Sequence, residues 1–292
     1  MQYCGREFSE QELSWLKELI ADEPDISRKE ISRKFCERLR WRKPDGGLKD
    51  MSCSVALLRM NQDGLISLPA TKRAPRKLSR QVLRTSAGEP KEAICEKAGD
   101  FHLHLDMVDK RNSVFWNELI DRYHYLGYTP LPGAQFRYIV NSQYGPVALL
   151  GFSACAWAAA DRDKYIGWDG YLRKKNLRFI VNNSRFLILP WVHSKGLASR
   201  ILAMATRRLA DDWQKRYKYR PVLAETFVEK DRFKGTCYHA AGWVCVGQTK
   251  GRGKLDSGNQ RALPVKTIWL KPLEKDWRKP LFGGNRCRIR KK

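Results

Sequence analysis

Arg185-Phe186-Leu187-Ile188-Leu189-Pro190-Trp191-Val192 runs without a break into His193-Ser194-Lys195-Gly196-Leu197-Ala198, and this stretch decides the fold. Its first eight residues are apolar enough for a buried strand. Leu197, Ile201, Ala205 and Leu209 then recur at helical spacing. A strand that turns through a glycine into a helix exposes unpaired N–H groups at the positive end of the helix dipole. Such a turn is a ready anion site.

The same alternation extends outward. Phe101, Leu103, Leu105 and Met107 alternate with His102, His104 and Asp106, the period of a strand with one wet face. Residues 113–126 read as a helix. Residues 134–141 and 146–154 read as paired strands about Gln143-Tyr144-Gly145, residues 177–181 and 185–192 as another strand or pair, and 221–228 as a strand. The fold class is therefore α+β, with a mixed central sheet over residues 100–271. Residues 272–292 form a basic tail, its nine Lys and Arg (with Lys271) set against Glu274 and Asp276.

The N-terminal third has a different grammar. Ser9 with Glu12 and Ser27 with Glu30 have the spacing of capping boxes. Each opens a helix, with stripes of Leu13, Leu16, Ile20 and of Ile31, Phe35, Leu39. A third helix over residues 50–61 is expected to bury Met51, Val55 and Leu58, and Asp63-Gly64 to turn into a strand over 65–68. Helix, helix–turn–helix and hairpin make the winged-helix arrangement, so residues 1–85 are expected to be a nucleic-acid-binding domain. Lys49, Ser52, Ser54 and Arg59 would face a groove, and Lys72 and Arg73 the phosphates beyond the wing. Protein docking is the alternative use of such a bundle. Residues 86–99 are expected to be a linker, with the boundary near Ser86.

Composition points the same way. Across 292 residues, 56 Lys+Arg oppose 31 Asp+Glu, a net charge of +25. Self-repulsion of that size is commonly tolerated for a polyanionic partner. The longest apolar run, Val147 to Ala160, is too short to span a bilayer, and the N-terminus lacks a signal-peptide core. The expectation is a soluble cytoplasmic protein with no membrane partner. Eight cysteines without a Cys-x-x-Cys pair argue against zinc fingers and predict free, mostly buried thiols.

Two resemblances add to this. His193-Ser194-Lys195-Gly196-Leu197-Ala198 resembles the Gln/Arg-x-x-Gly-x-Gly/Ala pyrophosphate loop of the GCN5-related acyltransferases, with His at the first position. Tyr238-His239-Ala240-Ala241-Gly242-Trp243 resembles that family's Tyr-x-x-x-Gly-Phe helix end. The resemblance implies an acyltransferase-like (GNAT-like) domain and, if chemistry follows, acetyl-CoA held by the amides of Lys195, Gly196, Leu197 and Ala198. Tyr238 would then be the general acid and Glu225 a candidate base.

A more specific set of runs covers most of the chain. It includes Tyr123-His124-Tyr125-Leu126-Gly127, Asn182-Asn183-Ser184-Arg185-Phe186-Leu187-Ile188, Glu225-Thr226-Phe227-Val228 and Gly235-Thr236-Cys237-Tyr238. These resemble the DruA family of the Druantia anti-phage system, whose members also accompany transposases. The resemblance implies defence or mobile-element work on DNA beside other defence proteins such as a helicase.

The main expectation is a DNA-binding protein that needs no cofactor. His193 and Lys195 would grip a phosphate, and Lys250, Arg252, Arg288 and Arg290 would extend the footprint. A second alternative is a Mg2+-dependent nuclease built from Glu225, Asp161 and Asp163. Against it, Asp161-Arg162-Asp163 reads as helix surface, and Glu225 inside an apolar strand reads equally well as half of an ion pair. His102 and His104 read as solvent-facing, with no metal ligand set.

Overall fold

The computed structural model describes residues 1–44, 46–70, 82–251 and 263–283. The chain divides into two units, Met1–Arg80 and Gln81–Lys292.

In the first unit a short hairpin, β1 (Gln2–Tyr3) and β2 (Arg6–Glu7), precedes α1 (Glu10–Asp22), α2 (Arg28–Arg38) and α3 (Asp50–Gln62). Both capping boxes form: the Ser9 and Ser27 hydroxyls accept from the amides of Glu12 and Glu30, whose carboxylates reach back to the cap amides. Leu16, Ile31 and Phe35 are fully buried between the helices.

The orientation of α3 differs from the expectation. Met51 (72% exposed), Val55 and Leu58 face outward, and Cys53, Ala56, Leu57 and Met60 are buried. Both sets have helical spacing, but the smaller Cys53 and Ala56 let α3 approach α2 closely, where Ser32 and Ser54 bond through their hydroxyls at 2.8 Å. Residues 65–68 form no strand. Their backbone is instead pinned locally, with Leu65 N–H donating to the Met60 carbonyl and Leu68 N–H to Asn61 Oδ1. The three helices are present, and a wing is absent among the described residues.

The second unit is a seven-stranded mixed sheet. Its strands are β3 (His104–Met107), β4 (Gln135–Ser142), β5 (Gly145–Ala154), β6 (Ile180–Ile188), β7 (Leu223–Glu229), β8 (Val244–Gln248) and β9 (Lys266–Pro272), in the order β3-β4-β5-β6-β7-β9-β8. Neighbours are antiparallel except β6 and β7, which run parallel. Residues 177–192, expected as one or two strands, give β6 after a 3-10 turn at Leu177–Phe179. Helices α4 (Ser113–Tyr123), α5 (Ala160–Ile166), α6 (Gly170–Asn176), α7 (Leu197–Tyr217), α8 (Thr236–Ala240) and α9 (Arg278–Leu281) complete the unit.

The core lies between the sheet and α4 and α7, where Trp116, Tyr138, Phe152 and Trp213 are fully buried. Rings of this size dominate the apolar surface removed from water. The Tyr138 hydroxyl donates to Asp212 Oδ2 at 2.7 Å, and Arg208 meets the same oxygen, so the one buried carboxylate of α7 is satisfied twice.

The expected linker is not loose. Thr85 donates through its amide and hydroxyl to the buried Glu118, Tyr123 donates to the Gly88 carbonyl, and Ile94 pairs in parallel with Val192. Its charged side chains face water while its backbone supplies the bonds, which composition does not reveal. No described helix is long and apolar enough to cross a membrane. The seven described cysteines are all free, but only Cys36 and Cys53 are buried.

Candidate functional site

The strand-to-helix turn forms as its sequence dictates. Gly196, at φ +84°, is the N-cap of α7, a left-handed conformation that L side chains rarely adopt, and no side chain caps the helix. His193, Lys195 and Gly196 are exposed, Ala198 is half-buried and Leu197 is buried. The Leu197 amide makes a long 3.4 Å bond to the Ser194 carbonyl. The amides of Lys195, Gly196 and Ala198 have no backbone acceptor among the described residues. These donors suit a phosphate. Residues 94–101 lie along the turn: the His193 amide donates to the Ile94 carbonyl, and the Arg200 guanidinium to the carbonyls of Ala98 and Phe101. A diphosphate seated here would share the turn with that segment.

Strands β6 and β7 pair only from Ile180 with Leu223 to Asn182 with Glu225. A bulge in β6 then appears opposite Gly151 and Phe152. Ser184 is the extra residue of this bulge, and Asn183 beside it spans the gap: its side-chain amide donates to the carbonyls of Gly151 and Arg185, and its Oδ1 accepts the Tyr238 hydroxyl at 2.8 Å. Burial raises the Tyr238 phenol above its ordinary range. Nearby, His124 stacks on Tyr125, with ring centroids 4.9 Å apart, and its Nδ1 accepts the Leu126 amide. Burial and the Arg185 guanidinium depress the imidazole to about 4, so it is neutral at pH 7.

At the paired end, Glu225 is fully buried. Its Oε1 accepts the Ala156 amide at 2.7 Å and its Oε2 accepts Arg162 Nη1 at 2.8 Å. Burial pushes the Glu225 carboxyl up, opposed by that guanidinium. For Arg162, burial is outweighed by the Glu225 and Asp163 carboxylates, which hold its proton more firmly. Arg162 is itself fully buried and bridges Glu225 to Asp163, which also meets Arg173 and the Trp168 indole N–H. The structure thus joins two of the three carboxylates of the nuclease alternative, but around an arginine. Asp161 turns away to the Gln248 amide. Among the described residues, no three His, Cys, Asp or Glu side chains converge as a metal site. Sequence reading passed over Arg162 as helix surface. Its signal was its place one turn before the buried Ile166.

The other expected contact residues belong to both units. Lys49 precedes α3 as a half-buried N-cap, Ser52 is half-buried, Ser54 is committed to Ser32, and Arg59 is exposed. Lys250 is exposed at the end of the described β8 loop. Lys72, Arg73, Arg252, Arg288 and Arg290 lie outside the described residues. His104 and Asp106 face solvent, 3.3 Å apart.

The sequence profile of a family described as Druantia protein DruA matches residues 60–264. Comparison with curated protein sequences gives no match. Similar solved structures include a GNAT-family acetyltransferase from Streptococcus pneumoniae, at 11% identity and TM-score 0.39, covering 59% of this chain and 100% of that one. Another is the ribosomal-protein-S18-alanine N-acetyltransferase from Escherichia coli, at 8% identity and TM-score 0.36, covering 59% and 94%. A third is an aminoglycoside acetyltransferase in complex with coenzyme A, at 12% identity and TM-score 0.38, covering 58% and 94%.

Proposed function

The chain belongs to the Druantia protein DruA family, and from that premise we propose that it is the DNA-binding component of a bacterial anti-phage or mobile-element system, acting in the cytoplasm beside enzymatic partners such as a helicase. The observation that carries this reading is where the charge sits. Met1–Arg80 holds 17 Lys+Arg against 12 Asp+Glu, a net +5, while Gln81–Lys292 holds 39 against 19, a net +20. Both units are net cationic, and an excess of that size in the longer second unit favours a polyphosphate partner.

In this reading the α7 turn takes a backbone phosphate through His193, Lys195 and the first-turn amides. Lys250, Arg252 and the tail residues Arg288 and Arg290 extend the track. Residues 1–85 act as a three-helix nucleic-acid-binding domain, with Lys49, Ser52 and Arg59 at the start and flank of α3 and Lys72 and Arg73 following it. No metal or cofactor is called for.

The test is a salt titration of binding to duplex and single-stranded oligonucleotides. With about six to ten phosphate contacts, affinity falls on the order of a thousandfold or more between 50 and 200 mM salt. A flat response, or no binding at low salt, removes the proposal.

An acyltransferase reading has to meet two observations. The Tyr238 hydroxyl is already spent on Asn183, and the α7 turn is shared with residues 94–101. Stabilisation of the protein by acetyl-CoA in a thermal melt would nevertheless favour it over simple DNA binding.

A further inference from the structure

Helices α5, α6 and α9 pack together at the paired end of β6 and β7, and they carry aromatic and basic residues outward. Trp168, Trp277 and Leu281 share one buried cluster beneath them. Asn176 of α6 donates to the Leu281 carbonyl of α9, and the Tyr165 ring of α5 stacks on Trp277 at 6.2 Å and an interplanar angle of 6°. On α6 the half-buried Leu172 and buried Asn176 face inward. Tyr171, Lys174 and Lys175 recur at i, i+3 and i+4 on the outside, and the exposed Arg178 follows in the 3-10 turn Leu177–Phe179. Tyr171 is 69% exposed, with Lys175 Nζ 5.9 Å from its ring centroid. Lys164 and Tyr165 are exposed on α5, and Arg278 lies 5.5 Å from the Tyr165 ring centroid.

The acidic residues of this region do not neutralise that face. Asp161 accepts the Gln248 amide, Asp163 is held by Arg162, Arg173 and Trp168, and Asp169 caps α6 through the Leu172 amide at 2.7 Å. Among the described residues, Lys164, Lys174, Lys175 and Arg178 have no carboxylate partner. Asp161, Asp163 and Asp169 therefore serve the fold, and the exposed Lys164, Lys174, Lys175 and Arg178 outnumber the further exposed carboxylate of this region, Asp276.

We propose that this face is a stacking platform for single-stranded DNA, with Tyr171 and Tyr165 taking bases and the flanking Lys and Arg taking phosphates. Phosphate attraction alone would account for the cations. It would not account for an aromatic ring standing in water among them, which is the pairing that strand-tracking proteins use. Duplex DNA keeps its bases stacked inside and gives Tyr171 nothing to stack on. From Tyr171 to Lys175 the helix rises about 6 Å, the reach of about two nucleotides.

The proposal rests on the DNA-binding reading and narrows it to a strand type and a place. The test is fluorescence anisotropy with the full chain, using an oligothymidylate of about 20 nucleotides and a duplex of equal length. Tyr171→Ala weakens the single strand by about fivefold or more, a change of ~1 kcal/mol or more. It leaves duplex affinity within about twofold, and Tyr171→Phe restores single-strand binding. Lys174→Ala with Lys175→Ala flattens the single-strand salt slope by about 1.4, at about 0.7 per phosphate contact. Thermal melts of all variants match the parent, since these side chains are exposed. A protein that binds DNA but is indifferent to Tyr171, or that binds duplex alone, overturns this inference and leaves the broader reading standing. A protein that binds neither overturns both.

Discussion

Strands β6 and β7 lie side by side for three residues and then part, and the two ends handle buried polar groups in opposite ways. At the paired end Glu225 and Arg162 are both fully buried, each bonded to the other and to backbone. At the parted end Asn183, Tyr238 and His124 are buried, and among the described residues none of them has a carboxylate partner. There Tyr238 and His124 stay neutral, the phenol raised by burial and the imidazole lowered by burial and by the Arg185 guanidinium. A chain carrying so many cations has used an ion pair in its interior where it joins α5 to the sheet, and neutral hydrogen bonds where the sheet opens. The charge at the paired end therefore belongs to the scaffold. Chemistry or binding has to be sought on the outer faces.

The sharpest way to break that comparison is Glu225→Gln. It leaves Arg162 buried opposite a neutral amide, and removing one partner of a buried pair costs about 3–5 kcal/mol. Urea unfolding should show a loss of that size. Replacing both residues by leucine should recover much of it, because two charges no longer need desolvation. If Glu225 were instead an unneeded base held ready for chemistry, the single change would be close to neutral for stability.

A second, somewhat smaller effect belongs to the parted end and appears with pH. His124 titrates near 4 in the folded protein, against about 6.5 when unfolded. Below pH 6.5 the unfolded chain takes up a proton that the folded chain refuses, so this contribution to stability is full above 6.5. It is lost as pH falls toward 4. The difference corresponds to about 3 kcal/mol. Comparing stability against pH for the parent and His124→Gln isolates it: the two curves should run parallel above pH 7 and converge or cross as acid is added. Parallel curves throughout would mean that the imidazole is open to water.

Much of this was legible in the sequence. The two capping boxes, the α7 turn at Gly196 and strands β3 to β7 follow from local patterning, because a hydroxyl three residues from a carboxylate or a glycine at a helix entry has few alternatives. Strands β8 and β9 were not read from it, because two short strands beside a basic loop have many. The face of α3 was not legible, because Met51-Val55-Leu58 and Cys53-Ala56-Leu57-Met60 satisfy the same period and only the fit against α2 chooses between them. Nor was the Arg162 bridge, since an arginine between two aspartates reads as solvated surface until a buried glutamate 63 positions away is brought to it. The α5–α6–α9 face was not read from the sequence at all, because its exposed residues come from three short helices that are brought together only by the buried cluster of Trp168, Trp277 and Leu281.

The smallest expected effect separates the readings of the parted end most cleanly. Tyr238→Phe removes one hydroxyl whose only described acceptor is Asn183 Oδ1. Burial leaves that oxygen without water to replace it, so the change should cost about 1–2 kcal/mol. Asn183 keeps its two carbonyl acceptors, so the bulge should persist and DNA affinity should be unchanged within about twofold, a few tenths of a kcal/mol. An acyltransferase that protonates its leaving thiolate from this phenol would instead lose turnover almost completely while its stability changed by the same small amount. Measuring stability and DNA affinity together, alongside acetyl-CoA hydrolysis or transfer, therefore distinguishes a hydroxyl that holds a strand bulge from one that delivers a proton. The hydrogen bond to Asn183 favours the first, because a donor fixed inside the sheet must give up a buried bond before it can reach a ligand.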